Sequence, residues 1–168
     1  MMKSTLRSIV LFLLAVGICM SVSYVGSLYM IPSIPVWYNN LQLPDPTLPS
    51  WLFGPVWTVL YVIMGFSLYM IFQAGIKKKE AYLGLIFFIT QLVFSFAWVY
   101  IFFGLHSIIF GLITAIALWL LLLLTMVQLF RFTVPGGAIL IPYFLWVTLI
   151  VLLNFFLTTL NPISYNLL

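Results

Sequence analysis

Residues 37–65 read WYNNLQLPDPTLPSWLFGPVWTVLYVIMG, and the two halves of this stretch differ in composition. Its first half is rich in proline, which fixes φ and lacks an amide donor, so it predicts an irregular loop. Its second half is a continuous apolar run in which Phe53, Trp57 and Tyr61 recur every four residues, as on one face of a helix. The stretch therefore predicts a loop that leads directly into a membrane helix.

The whole chain of 168 residues has the composition of an integral membrane protein. Apolar residues make up 65% of it and charged residues 5%, which leaves too little polar surface for a soluble domain. Apolar runs long enough to cross a hydrocarbon core of about 30 Å recur along the sequence. They lie near 8–30, 52–75, 81–104, 107–130 and 138–160. Because these runs do not alternate apolar and polar residues, they predict a single all-α domain, a bundle of five transmembrane helices, and not a β-barrel.

This sequence contains few of the charged and metal-binding side chains that most catalytic and metal sites need. It contains one cysteine, one histidine and two carboxylates, so neither a metal site nor a disulfide framework has enough ligands. No Asp, Glu, Lys, Arg or His falls deep within a predicted span, which argues against an ion- or proton-coupled transporter. His106 lies in the turn between the third and fourth spans, where we expect a solvated side chain and not a heme ligand. Aromatic and amide side chains remain as the candidates for binding a ligand.

The basic residues predict the orientation in the membrane. With five spans, the N-terminus, the second loop and the fourth loop share one side, and every lysine and arginine falls there. These residues are Lys3, Arg7, Lys77, Lys78, Lys79 and Arg131. Because basic residues near span ends stay in the cytoplasm, we expect the N-terminus and the Lys77–Lys79 loop inside, and the 31–50 loop and the C-terminus outside. The basic charge is thus explained by topology, and no accessible basic face suits a nucleic acid.

The first apolar run has a second interpretation as a secretory signal. Lys3 and Arg7 precede it, and residues 21–23, Ser-Val-Ser, resemble a small-x-small cleavage site. The run nevertheless continues past that site to Ile31, which is long enough to span a bilayer. We therefore expect a membrane helix here.

Three ordered blocks of residues resemble the signature of one membrane-protein family. In residues 37–65 the matching positions are Trp37, Tyr38, Leu41, Pro44, Pro49, Phe53, Pro55, Val56, Trp57, Leu60, Tyr61, Met64 and Gly65. In the third span they are Gln91, Leu92, Trp98, Ile101, Phe102, Phe103 and Gly104. In the fifth they are Pro142, Tyr143, Trp146, Asn154 and Asn161. The blocks are similar to those of the TspO/MBR family of translocator proteins and tryptophan-rich sensory proteins.

The resemblance implies a bundle that binds a porphyrin or heme, or another flat apolar small molecule. It also implies a homodimer in the lipid bilayer, expected to be a bacterial plasma membrane, with no cofactor required beyond that ligand. Carried over residue by residue, the pocket would contain Tyr38, Trp51, Phe53, Gly54, Trp57, Trp98, Phe110, Trp146, Ile150, Leu153 and Asn154. Trp51 and Trp146 occupy the positions that matter most to the porphyrin chemistry proposed for the family.

Three functions of different classes follow from this resemblance. The first is a tetrapyrrole-binding sensor, regulator or carrier, which needs only the pocket, and we favour it. The second is an enzyme that degrades the porphyrin with light and oxygen, for which Trp51 and Trp146 would have to approach the same macrocycle. The third is a membrane scaffold that acts through a partner protein.

Depth along the helices adds an expectation about the pocket. Counting at about 1.5 Å per residue from the outer span ends puts Trp57, Trp98 and Asn154 at one level, about 9 Å deep, and Trp146 at about 21 Å. Such an aromatic layer, covered by the semi-rigid 31–50 loop, would suit a flat apolar ligand. Aromatic residues spaced three or four apart also arise from ordinary helix packing, so that alternative stays open.

Overall fold

The computed structural model describes residues 2–161, and within them the chain forms helices and no β-strand. The helices are α1 Met2–Val36, α2 Phe53–Ala74, α3 Lys79–Val99, α4 Ile108–Phe130, α5 Val134–Ala138 and α6 Ile141–Leu160. A π-helical turn, Tyr100–Gly104, extends α3, and the loop between α1 and α2 contains short 3₁₀ turns at Tyr38–Asn40 and Ser50–Leu52. Five helical segments are long and apolar enough to cross a membrane, which confirms the predicted all-α five-span bundle.

The five long helices close into a ring in the order α1, α2, α6, α4, α3. α1 packs against α2 on one side and against α3 and its π-helical turn on the other, while α4 packs between α3 and α6. Side chains that face the middle of the ring form one apolar core, and large apolar side chains also cover its outside. This apolar outer surface is suited to contact with acyl chains. The helical backbone is also suited to lipid, because its hydrogen bonds are satisfied within each helix. The chain is therefore a multi-pass membrane protein.

The first helix is longer than predicted. It does not end at residue 30 but passes through Pro32 and Pro35, although each proline removes one helical hydrogen bond. The extension reaches the turn before α4, where Ser33 Oγ lies 3.1 Å from His106 Nε2. The predicted boundary was wrong because it relied on the local preference against proline in a helix, which takes no account of contacts between distant segments. The irregular part of the 31–50 loop is correspondingly shorter.

The lid, residues 41–49, joins the end of α1 to α2 by running over the outer part of α6. Two reciprocal hydrogen bonds hold its start: the Gln42 N–H donates to Asn161 Oδ1 at 3.0 Å, and Asn161 Nδ2 donates to the Gln42 carbonyl at 3.1 Å. Further along, Pro44–Leu48 and the α6 residues between Leu149 and Phe156 enclose a cavity of about 420 Å³. The lid is thus fastened at its start, and further along Leu43 and Leu48 pack against the apolar core while a cavity remains between residues 44–48 and α6.

The fifth span, Val134–Leu160, begins slightly before the predicted residue 138 and consists of two consecutive helices. The Pro-Gly-Gly segment after α4 forms the short helix α5, where the Thr133 side chain accepts a hydrogen bond from the Gly136 N–H at 3.3 Å. Ser67 Oγ of α2 donates to the Gly136 carbonyl at 2.8 Å, which ties this corner to the bundle. α6 follows and supplies most of the fifth span.

Candidate ligand-binding site

A group of aromatic rings occupies the middle of the bundle, and we call it the aromatic cluster. Its rings come from the 3₁₀ turn after α1, from α2, from α3 with its π-helical turn, and from α6, and all are at most 8% exposed. The members are Tyr38, Phe53, Trp57, Trp98, Phe102, Phe103, Tyr143 and Trp146. Burial of so many large rings makes the cluster a major contribution to the core.

The rings of the aromatic cluster contact one another directly. The Trp57 ring lies 5.8 Å from that of Trp98 and 6.4 Å, edge on, from that of Trp146. Trp98 stacks on Phe102 at 5.4 Å with an interplanar angle of 11°. These separations fall in the range of favourable aromatic pairs. The predicted neighbours Trp57 and Trp98 are therefore together, and Trp146 belongs with them.

The depth predicted for Trp146 is wrong. It was expected to lie about 12 Å below Trp57, yet the two rings are in contact, and the Trp146 ring lies 6.1 Å from that of Phe53 at the start of α2. α6 also extends outward from Trp146 to Asn161, where the lid begins. The first residue of α2 and the last residue of α6 therefore lie at different heights along the bundle. The reason is that the lid runs along α6 before α2 begins. Counting from span ends assumed that they were level.

The aromatic cluster carries polar atoms that its neighbours do not satisfy. Within residues 2–161, the indole N–H groups of Trp57, Trp98 and Trp146 are buried without a hydrogen-bond acceptor. A buried polar group left unpaired costs about 1–3 kcal/mol. The Tyr143 hydroxyl lies near Ser95, but the Ser95 hydroxyl is hydrogen-bonded to Tyr61 at 2.9 Å. The cluster therefore combines flat apolar faces with several unused donors, which is the composition of a ligand site.

The intramembrane amides predicted from the sequence, Gln91 and Asn154, do not bond to each other. Asn154 Nδ2 donates to the Ile150 carbonyl at 2.8 Å, while its Oδ1 is buried without a partner among the described residues. That oxygen would lie 3.0 Å from a Cβ at Gly111, so the glycine leaves room for it. The amide of Gln91 on α3 is likewise buried and unpaired within the described part of the chain.

The other residues predicted for the pocket occupy three different environments. Ile150 and Leu153 are buried on the same α6 face as Trp146, and Leu153 also lines the cavity beneath the lid. Gly54 lines a cavity between α1 and α2. Trp51 is 70% exposed and Phe110 59% exposed, so the structure does not bring these two rings into the aromatic cluster. Their assignment to a ligand site stays a prediction.

The cavity between α1 and α2 has a volume of about 280 Å³ and reaches the aromatic cluster. Trp57 and Tyr61 form its inner wall, and Tyr24, whose ring is 67% exposed, stands at its outer side. Gly54 contributes no side chain, and a Cβ there would meet nothing within 4 Å. The cavity beneath the lid is distinct from this one, and no residue of the aromatic cluster lines it.

Sequence reasoning left three members of the aromatic cluster out of the predicted pocket: Phe102, Phe103 and Tyr143. Tyr143 precedes Trp146 by three residues and Phe102 follows Trp98 by four, so helical spacing could have found both. Helical spacing does not predict Phe103 as a further member, because it follows Phe102 directly and consecutive residues on an α-helix point about 100° apart. In the structure both phenylalanines are buried, with their rings 4.8 Å apart, within the π-helical turn. Such turns are frequent at functional sites.

His106 is not the solvated turn residue that we expected. Its ring stacks on that of Trp37 at 4.7 Å with an interplanar angle of 21°, and Nε2 lies 3.1 Å from Ser33 Oγ. The backbone at His106 has a φ of 54°, which lets the chain turn from the π-helical segment into α4. The residue thus joins this turn to the end of α1. The expectation was wrong because α1 extends far enough to reach the turn.

Comparison with known proteins places the chain in a family. The TspO/MBR family profile matches residues 12–160. The tryptophan-rich protein TspO of Chlorobaculum tepidum is 35% identical over 156 residues, which cover 93% of this chain and 99% of that protein. Protein CrtK of Rhodobacter capsulatus is 32% identical over 92% of this chain and 95% of its own length, and the translocator protein of Bos taurus is 31% identical over 71% of each. The chain therefore belongs to the TspO/MBR family.

Proposed function

We propose that this membrane protein binds a tetrapyrrole, porphyrin or heme, against the aromatic cluster and acts as a sensor, regulator or carrier. The observation that carries the proposal is the set of buried indole N–H groups at Trp57, Trp98 and Trp146, which lack acceptors within residues 2–161. A tetrapyrrole presents a flat apolar face to aromatic rings, and its carboxylate substituents accept hydrogen bonds from such donors.

The size of the ligand implies movement on binding. The cavity between α1 and α2, about 280 Å³, is near the lower end of the 300–1,000 Å³ that small-molecule pockets occupy. The cavity beneath the lid is about 420 Å³, and Leu153 lies between it and the α6 core. A macrocycle would have to part rings that now touch, such as Trp57 and Trp146, or displace the lid. We propose that the lid moves, because its residues 44–48 already border a cavity that lies between them and α6.

A titration with protoporphyrin tests the proposal. Added protoporphyrin should quench the tryptophan fluorescence of the purified protein in detergent, and the quenching should saturate. Trp146→Phe should weaken the affinity for protoporphyrin by about 0.5–1.5 kcal/mol, roughly two- to thirteen-fold. The matched control is Trp119→Phe, because Trp119 lies outside the aromatic cluster and donates to Thr148 Oγ1 at 2.9 Å on the α4–α6 side. Equal weakening by both substitutions, or no saturation, would contradict binding at the cluster.

The same titration under light separates a binder from a porphyrin-degrading enzyme. We expect bound porphyrin to keep its absorption spectrum in light and oxygen. An enzyme would instead form a new absorbing product, and Trp51→Phe and Trp146→Phe would each abolish that product while changing affinity only a few-fold. The exposed position of Trp51 and the buried position of Trp146 put the two indoles in different environments, which is why we favour the binder.

We also propose that the N-terminus and the Lys77–Lys79 turn face the cytoplasm and that the lid faces outward. The support is the placement of every basic residue on one side of a five-span chain. In a Cys19→Ser background, a cysteine at the exposed Asn39 should react with a membrane-impermeant thiol reagent in intact cells. A cysteine at the exposed Lys78 should react only after the membrane is opened, and the opposite pattern would reverse the orientation.

A further inference from the structure

The inner end of the bundle holds a groove that the tetrapyrrole site does not use. It lies between the first half of α1 and the turn that joins α2 to α3, and its volume is about 550 Å³. Gly75 shapes the turn: its φ of 87° ends α2, and its carbonyl accepts the Lys78 N–H at 3.1 Å. The groove lies at the opposite end of α2 from the lid.

The walls of this groove divide by chemistry. Its mouth carries the cations Arg7, Lys77 and Lys78, all of them exposed, and its floor is apolar, with Leu11 and Leu14 of α1 facing Phe72 of α2. The two carboxylates of the chain are Asp45, in the lid, and Glu80, at the start of α3, and neither lines the groove. Among the described residues that line the groove, the mouth therefore combines three cations with an apolar floor and no carboxylate.

The apolar floor continues up the outside of α1. A second, shallow furrow, formed on the surface of α1 alone, shares Leu14 and Ile18 with the groove and extends it to Gly17 and Ser21. From Arg7 to Ser21 the helix rises roughly 21 Å, at 1.5 Å per residue. Gly17 deepens the furrow, since a Cβ there would meet nothing within 4 Å. A cationic mouth followed by a long apolar track matches the shape of one phospholipid.

We propose that this groove binds one anionic phospholipid, with its phosphate at Arg7, Lys77 and Lys78 and an acyl chain along α1. Basic pockets between membrane helices on the cytoplasmic side recognise anionic headgroups. An arginine guanidinium can hold two phosphate oxygens at once, and the lysines add point charge. The lipid belongs to the inner leaflet if the orientation proposed above holds. The proposal does not depend on tetrapyrrole binding.

Native mass spectrometry of the full chain, purified in detergent containing dioleoylphosphatidylglycerol or dioleoylphosphatidylcholine, tests this site. We expect one phosphatidylglycerol to be retained in preference to phosphatidylcholine. Arg7→Gln should lower its apparent affinity about five-fold at low salt, since each cation near a headgroup contributes about that factor. The double substitution Lys77→Gln/Lys78→Gln should lower it further, and these lysines lie in an exposed turn where folding is little affected.

Arg131→Gln is the matched control. Arg131 lies on the same side of the bundle but follows α4, which is not a neighbour of α1 in the ring, and it does not line the groove. This variant should retain the lipid within two-fold of the wild type. Leu14→Trp, which fills the apolar track and keeps every charge, should lower retention.

Three results would overturn the proposal. Equal losses in Arg7→Gln and Arg131→Gln would mean a diffuse attraction to the basic side. Equal retention of both lipids would remove the role of the phosphate charge. Complete displacement of the lipid by glycerol phosphate would mean that a free phosphate, without an acyl chain, is the ligand.

Discussion

Replacing Gly65 by leucine should lower the stability of the protein more than any other single glycine substitution in the α1–α2 interface. A Cβ at Gly65 would lie 2.7 Å from Val16 Cα, which is backbone and cannot rotate away. The two helices would have to separate along their whole contact. Overpacking of this kind costs about 1–3 kcal/mol, and occasionally more. For a chain of this size that corresponds to a loss of roughly 2–4 °C in melting temperature per kcal/mol.

Gly17→Leu provides the matched control for this prediction. Gly17 lies one residue along α1 from Val16, is exposed, and has no atom within 4 Å of the Cβ position. The same substitution there should leave the melting temperature unchanged or raise it, because glycine is a poor helix former. The measurement is thermal unfolding of both variants in the same detergent. A Gly65→Leu protein that melts with the wild type would show that α1 and α2 do not approach this closely.

Replacing Asn161 by leucine should speed the release of bound porphyrin. The substitution removes both hydrogen bonds between Asn161 and the backbone of Gln42, at 3.0 and 3.1 Å, which fasten the lid to the end of α6. At about 0.5–1.5 kcal/mol for each bond, release should become roughly 5- to 150-fold faster if the lid must open first. Stopped-flow measurement of protoporphyrin release gives this rate.

Asn40→Leu is the control for the lid. Its side-chain amide donates to the Val36 carbonyl at 2.7 Å, a local bond that does not reach α6, so the release rate should stay within two-fold. Hydrogen exchange of the lid amides supplies a second measurement that needs no ligand. Exchange should rise in Asn161→Leu and not in Asn40→Leu. Unchanged exchange and unchanged release in Asn161→Leu would leave the lid as a simple connector.

Much of the architecture could be predicted from local patterns. The limits of α2, α3 and α4 follow the apolar runs closely, because each must cross the same hydrocarbon thickness. The spacing of Trp57, Trp98 and Trp146 on their helices also predicted which faces turn inward. These properties depend on composition and period along one helix at a time.

Relations between helices could not be predicted in this way. The passage of α1 through Pro32 brings Ser33 to His106, and no pattern within either segment indicates this contact. The outward exposure of Trp51 likewise depends on how the lid approaches α2. Each outcome is set by partners distant in sequence.

The amino-acid sequence was enough to predict the number of spans, their inward faces and, through three ordered blocks of matching residues, the family resemblance. Only the tertiary structure decided that Trp146 touches Trp57, that Phe103 joins the aromatic cluster, and that Asn161 fastens the lid. The physical reason is the axial offset between helices. Hydropathy and periodicity fix a helix and its rotation, but its level relative to a neighbour is set by side-chain packing and by the path of the connecting loop.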